Sequence, residues 1–322
     1  MKKFILLFLL KNNKINQYQR LKSKAFSLIE LSIVVLIIGI LIAGVTQGSR
    51  MVRQARLKTA QNQTSGSPVS SIPNLAAWWE TTMEGSITST TNGTSPENQD
   101  LVSSWNDINT QNNSKNATNI PSGNNPIYTE NGMNGLPVVT FSGGKYNSFD
   151  GSILVASDYT IFVVEQRSSN AVSNYFMAGS ASALDANMHL GYRTNTVVTQ
   201  AQYADDISVT LAGSMAAGFV SKTPLIWTFR QSSTTGKALY FNGGAGNGGF
   251  SAVGAPIGTS SSTSQLVSYA GSQIGGSSAR GYYYGDLAEI IIFNRALKRE
   301  EENAIISYLG KKWGIVTSPI TS

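Results

Sequence analysis

Between Phe26 and Ser49 the chain runs about 24 residues with one charge, Glu30, and no proline. As an α-helix rising about 1.5 Å per residue, such a segment covers a hydrocarbon core about 30 Å thick. Gly39, Gly44 and Gly48 soften this helix without breaking it, because glycine is tolerated in membrane helices. The basic residues Lys2, Lys3, Lys11, Lys14, Arg20, Lys22 and Lys24 precede it with no acid among them, and Arg50, Arg53, Arg56 and Lys58 follow it. The heavier basic flank predicts that residues 1–25 stay cytoplasmic and that everything beyond Arg50 is exported. An earlier apolar run, FILLFLL at 4–10, is too short to span and leads into KNNKINQYQR rather than into small residues with a cleavage site.

A carboxylate carried to the bilayer centre costs on the order of 3 kcal/mol, so Glu30 calls for a partner or for a position near the headgroups of a plain anchor. Its surroundings favour the first. The stretch KAFSLIEL behind a basic leader resembles the type IV prepilin cleavage and methylation motif, in which a small residue precedes Phe and Glu is the fifth mature residue. Ala25 stands where Gly is commoner. The resemblance implies cleavage between Ala25 and Phe26 by a prepilin peptidase and N-methylation of Phe26. It also implies an assembly role for Glu30, whose carboxylate the terminal ammonium of a neighbouring pilin subunit neutralises in a filament. Before assembly the resemblance places the protein in the bacterial inner membrane as a single-pass precursor.

Past Ser49 a ragged apolar stripe (Met51, Val52, Ala55, Leu57, Ala60) continues without proline to about Gln63, which predicts one long helix over 26–63. Gly66, Pro68 and Pro73 mark 64–73 as a linker.

From residue 74 the texture changes to short β-branched and aromatic runs separated by Gly, Asn and Ser. LPVVTFSG (136–143), YTIFVVEQR (159–167), LIWTFRQ (225–231), KALYFNGG (237–244) and GDLAEIIIFNR (285–295) read as strands. Many strands without intervening helices predict a mainly β fold, an antiparallel sandwich. One helix is expected near the end, with Leu297, Ala304, Ile305, Tyr308 and Leu309 on one face and Glu300 to Glu302 at its start, although Lys298 is a poor cap. LAAWWE (75–80), VSSWND (102–107), LPVVTFSG, LYFNG (239–243) and the segment 285–314 ending in KKWG together resemble laminin-G-like, or concanavalin A-like, jelly-roll domains. That resemblance implies a jelly-roll domain over 74–316 with a short tail at 317–322. GAPIGTSSSTSQ (254–265) reads as a flexible low-complexity loop.

Composition closes several routes. The chain has no cysteine, which excludes disulfides, thiolate nucleophiles and Cys-based metal sites. Its one histidine, His189, excludes a His-pair site and reads as an ordinary strand or surface residue. The seven basic residues of 1–25 exceed the chain's net charge of +6, so the remainder carries −1 and has no nucleic-acid footprint. Only 13% of residues are charged, which suits a strand-and-loop protein working outside the cytosol. Trp78, Trp79, Trp105 and Trp313 are expected in the core rather than stacked on sugar. Tyr282, Tyr283 and Tyr284 alternate across a strand and are the ligand candidates.

Glycoside cleavage needs two carboxylates about 5 to 10 Å apart. Glu300 and Glu302 belong to the helix, Asp205 and Asp206 point apart, and Asp286 and Glu289 fall on opposite faces of a regular strand. No catalytic residue is expected and no cofactor is required. Calcium is the ion that the Asn- and Asp-bearing loops would suit, with no site assigned. The expected function is a minor or specialised type IV pilin-like subunit whose jelly-roll headgroup binds a surface glycan or protein. The alternatives are a type II secretion pseudopilin and a membrane-tethered glycan-active enzyme.

Overall fold

The computed structural model describes residues 27–112, 115–119, 123–203, 205–211, 222–246 and 252–321. It divides into two units, one ending at Met51 and one running from Val52 to the C-terminus. Helix α1 (Leu28–Ser65) is 38 residues long, which at 1.5 Å each is about 57 Å. Every residue from Ser27 to Arg56 is exposed, including Leu36 at 63% and Ile40 at 63%. This helix, apolar on all sides and uncovered by the other described residues, is long and apolar enough to cross a membrane.

The second unit is mainly β, two antiparallel sheets packed as a sandwich. The first sheet has the order β15 (Gly258–Ser260), β14 (Gly236–Phe241), β13 (Leu225–Ser232), β8 (Tyr159–Arg167), β19 (Tyr284–Phe293), β6 (Leu136–Ser142) and β5 (Ile127–Met133). Strand β1 (Leu75–Glu80) pairs with the second half of β19. The second sheet has the order β12 (Ile207–Thr210), β11 (Val197–Ala201), β10 (His189–Tyr192), β9 (Asn174–Ala178), β16 (Gln273–Ile274), β7 (Asn147–Ser148), β4 (Ala117–Thr118), β3 (Val102–Trp105) and β2 (Ile87–Ser89). A small hairpin, β17 (Gly276–Ser277) with β18 (Gly281–Tyr282), precedes β19.

Strand β8 shows why the runs of 159–167 and 285–295 are apolar at nearly every position rather than at alternate ones. Ile161 and Val163 point between the sheets, where they meet Trp79, Phe176, Tyr192, Trp227 and Phe229. Phe162 and Val164 point the other way, into a second core under helix α2 (Arg299–Trp313). Both faces of the central strands are therefore dry, and all nine residues of β8 are buried. Alternation would have left one face wet.

Helix α2 starts without a side-chain cap from Lys298. The Glu301 carboxylate instead accepts the Lys298 N–H at 2.8 Å while taking Arg295 at 2.7 and 2.8 Å. Acids at its first turn and Lys311 and Lys312 at its last complement the helix dipole, and Gly314 ends it at φ 66°. Ile305, Ile306, Leu309 and Trp313 cover the first sheet, joined there by Ala60 of α1, by Val69 and Ile72, and by Ile315 and Ile320 beyond the helix.

One expectation is overturned here. Asp286 and Glu289 share a face, because β19 shifts register against β8 between Leu287 and Glu289. The extra residue of this bulge turns Ala288 and Glu289 to the same side. Asp286 accepts from Thr140 at 2.6 Å and from Gln166 at 2.8 Å, and Glu289 lies under α2.

Candidate functional site

Four places concentrate polar chemistry: the start of α1, the seam beneath α2, the surroundings of Glu165 between the sheets, and the outer side of the second sheet. At the start of α1, Ser27 Oγ accepts the Ile29 N–H at 3.3 Å and the Glu30 carboxylate accepts the Ser27 N–H at 2.9 Å. Ser27 and Glu30 thus cap the start of the helix, their side chains satisfying the Ile29 and Ser27 N–H groups. One amide uses a fraction of a carboxylate's accepting capacity, so an exposed Glu30 keeps room for a cation. No other acid occurs between Ser27 and Trp79. Ala25 and Phe26 lie outside the described residues, as does the leader 1–25.

Beneath α2 the fully buried Lys312 ammonium bridges two fully buried carboxylates, Glu80 at 2.8 Å and Glu289 at 2.9 Å. Trp78 Nε1, Trp313 Nε1 and the Tyr308 hydroxyl also donate to Glu289, each at 2.8 Å. Thr82 adds its N–H and hydroxyl to Glu80, at 2.8 and 2.6 Å. Burial alone would raise the Glu80 carboxyl, yet Lys312 and these donors hold it below the usual carboxylate range. Burial likewise opposes the Lys312 charge, and Glu289 and Glu80 outweigh it, holding the ammonium above its ordinary value. The Glu80 and Glu289 carboxylates are thus both engaged by donors of the protein itself. Lys312 and Trp313 thereby fasten the end of the chain by charge and hydrogen bonds as well as by packing.

Between the sheets, Glu165 is also fully buried. It accepts from Tyr283 at 2.5 Å, Tyr192 at 2.6 Å and Trp227 at 2.9 Å, and burial pushes its carboxyl up despite these donors. Tyr283 is therefore turned inward and is removed from the ligand candidates. Its neighbours face outward. Tyr284 is 38% exposed, and its ring lies over Gly143, where φ is +79° and a Cβ would collide with it. Tyr282 is half-buried and parallel to Tyr146, with 14° between the rings and 6.4 Å between centroids. Tyr146 lies far from this trio in sequence, and no local signal marked it.

On the outer side of the second sheet, His189 is 6% exposed in β10, with its ring centroid 5.0 Å from that of Tyr175 and 5.6 Å from that of Tyr203. Its Nδ1 has no hydrogen-bond partner, and burial lowers its pKa to about 4. Arg280 stacks over Tyr203 at 4.5 Å and donates to the Ala181 carbonyl at 2.7 Å. Trp78, Trp79, Trp105 and Trp313 are all buried. Among the described residues no three His, Asp or Glu side chains converge to hold a metal ion.

The spacing from a basic leader through Phe26 to a lone carboxylate on an exposed apolar helix is the deciding pattern. Residues 20–46 match the prokaryotic N-terminal methylation motif. The chain thus carries a type IV prepilin-like start, and the motif and apolar helix together fit a membrane-anchored precursor. No curated protein matches the chain by sequence. Among solved structures, domain 4 of an extracellular arabinanase from Geobacillus stearothermophilus, bound to arabinotriose, is similar at 10% identity with a TM-score of 0.47. The match covers 72% of this chain and 98% of that one. An arabinofuranosidase in complex with arabinofuranosyl-α-1,2-xylobiose is similar at 12% identity and TM-score 0.48, over 74% of this chain and 63% of that one. Trypanosoma rangeli sialidase is similar at 14% identity and TM-score 0.44, over 82% of this chain and 39% of its own.

Proposed function

We propose that this protein is a type IV pilin-like filament subunit that displays a β-sandwich recognition head outside the cytoplasm. The carrying observation is the methylation motif at 20–46, with Glu30 as the fifth residue after the expected cut. A prepilin peptidase cuts between Ala25 and Phe26 and methylates the new amine. The apolar part of α1 first crosses the inner membrane and then leaves it to pack among other subunits. In that dry bundle a carboxylate without a cation is costly, so the Phe26 ammonium of one subunit and Glu30 of its neighbour set the axial register.

Mass spectrometry of the mature chain should find N-methyl-phenylalanine at residue 26, and an intact leader would sink the reading. Glu30→Val should be made and processed normally yet enter filaments poorly, measured as the sheared-fibre fraction against the cell-bound fraction.

The head is an adhesin. Exposed Tyr284 and the half-buried pair Tyr146 and Tyr282 offer it aromatic surface of the kind that stacks on the apolar face of a sugar ring or on a protein side chain. Changing Tyr282 and Tyr284 together to Ala should leave assembly intact and lower attachment to the target surface by about tenfold, a loss of about 1.4 kcal/mol. Unchanged attachment would locate recognition elsewhere.

A further inference from the structure

The part of α1 that lies against the sandwich has a groove on each flank, and the two grooves carry opposite charge. At about 100° per residue, Ala60 and Thr64, which are buried, define the seated side of the helix. Val52, Ala55, Thr59 and Gln63 fall to one side of it, Leu57 and Gln61 to the other. On the first side runs a groove of about 440 Å³ with Leu136 and Ala60 as its floor, and Arg56 and Lys311 among the residues that line it. A second hollow of about 610 Å³ continues it along α2 and shares Thr59, Gln63 and Lys311. On the other side a groove of about 210 Å³ is lined by the turn after β1, with exposed Glu84, and by Thr94 to Pro96, which lead into exposed Glu97.

Arg53 has its own partner, Glu130 at 3.4 Å, and Lys312 is neutralised beneath α2. Arg56 and Lys311, by contrast, make no ion pair among the described residues, and neither do Glu84 and Glu97. Two unpaired cations on one flank and two unpaired anions on the opposite flank are complementary, but one copy cannot bring them together. A second copy can.

We propose that the Arg56–Lys311 groove receives the Glu84–Glu97 flank of another copy of this chain. The contact is heterologous, joining one side of a subunit to the opposite side of the next. Repeated, it propagates instead of closing a dimer, as a helical filament requires. It would set the lateral register of the heads independently of the Glu30 pairing in the apolar bundle. This inference rests on the reading of the protein as a filament subunit.

The absence of cysteine makes the test clean. Full-length chains carrying both Lys311→Cys and Glu84→Cys, oxidised on intact filaments, should give a ladder of covalent multimers. Either single variant should give none. A ladder missing from wild-type-like filaments would overturn the proposal, and so would dimers from one single variant, which would mean a two-fold contact.

In parallel, Arg56→Glu with Lys311→Glu should cut the assembled fraction by about tenfold, and adding Glu84→Lys with Glu97→Lys should restore it. Reversal without rescue would assign the cations to another anion, such as lipid phosphate, and would also overturn the proposal. Failure of the parent reading looks different: the unaltered chain would keep its leader and form no fibres, and this interface would fall with it.

Discussion

Glu302 and His189 are both buried and both displaced from their ordinary ionisation, but with opposite consequences for stability. Burial raises Glu302 to about 7, with Arg230 at 3.6 Å and Arg299 at 3.8 Å only partly opposing it. Neither contact is short enough for a hydrogen bond, and Oε1 has no donor. Between about pH 7 and pH 4.5 the folded protein holds a proton here that the unfolded chain has released, so this group adds stability as pH falls through that window. His189 does the reverse. The unfolded chain takes a proton near pH 6.5 and the folded one resists until about pH 4, so stability drains away as pH falls between them. Glu302→Gln should raise the melting temperature at pH 8 by the equivalent of about 1–3 kcal/mol and change it little at pH 5. His189→Asn should protect at pH 5 and not at pH 8. Thermal melts of the full chain in detergent at both pH values check the pair, and parallel shifts of the two variants would refute the assignment.

At the scale of elements, α2 depends on a single buried cation. Lys312→Met leaves Glu80 and Glu289 facing each other in a dry seam, and the loss should be about 3–5 kcal/mol in denaturant unfolding. Adding Glu80→Gln and Glu289→Gln should return much of it, since two neutral amides need no cation. The sequence announced α2 as an amphipathic helix with acids at its start, and it announced β8 and β19 as strands. It did not announce the seam, because Glu80, Glu289 and Lys312 come from three distant segments and each looks like surface charge by itself. The β19 bulge was equally hidden. The alternation rule assigns Asp286 and Glu289 to opposite faces, and only pairing with β8 reveals the extra residue that reunites them.

At the scale of the whole molecule, the chain joins an exposed apolar helix to a sandwich with two cores, one between its sheets and one under α2. The start of α1 was legible from sequence because membrane crossing and the processing motif depend on residues adjacent in the chain: a basic leader, Phe26, Glu30 and an unbroken apolar run. The mainly β body was legible for a similar reason, since strand runs and turn clusters are local patterns. What tertiary structure alone decided is which polar residues meet. It turned Tyr283 inward to Glu165, set Tyr146 beside Tyr282, and gathered Arg56 with Lys311 on one flank and Glu84 with Glu97 on the other. These pairs are separated by 13 to 255 residues, and a side chain's partners at such separations depend on strand order, register and bulges, which hydrophobic periodicity does not encode.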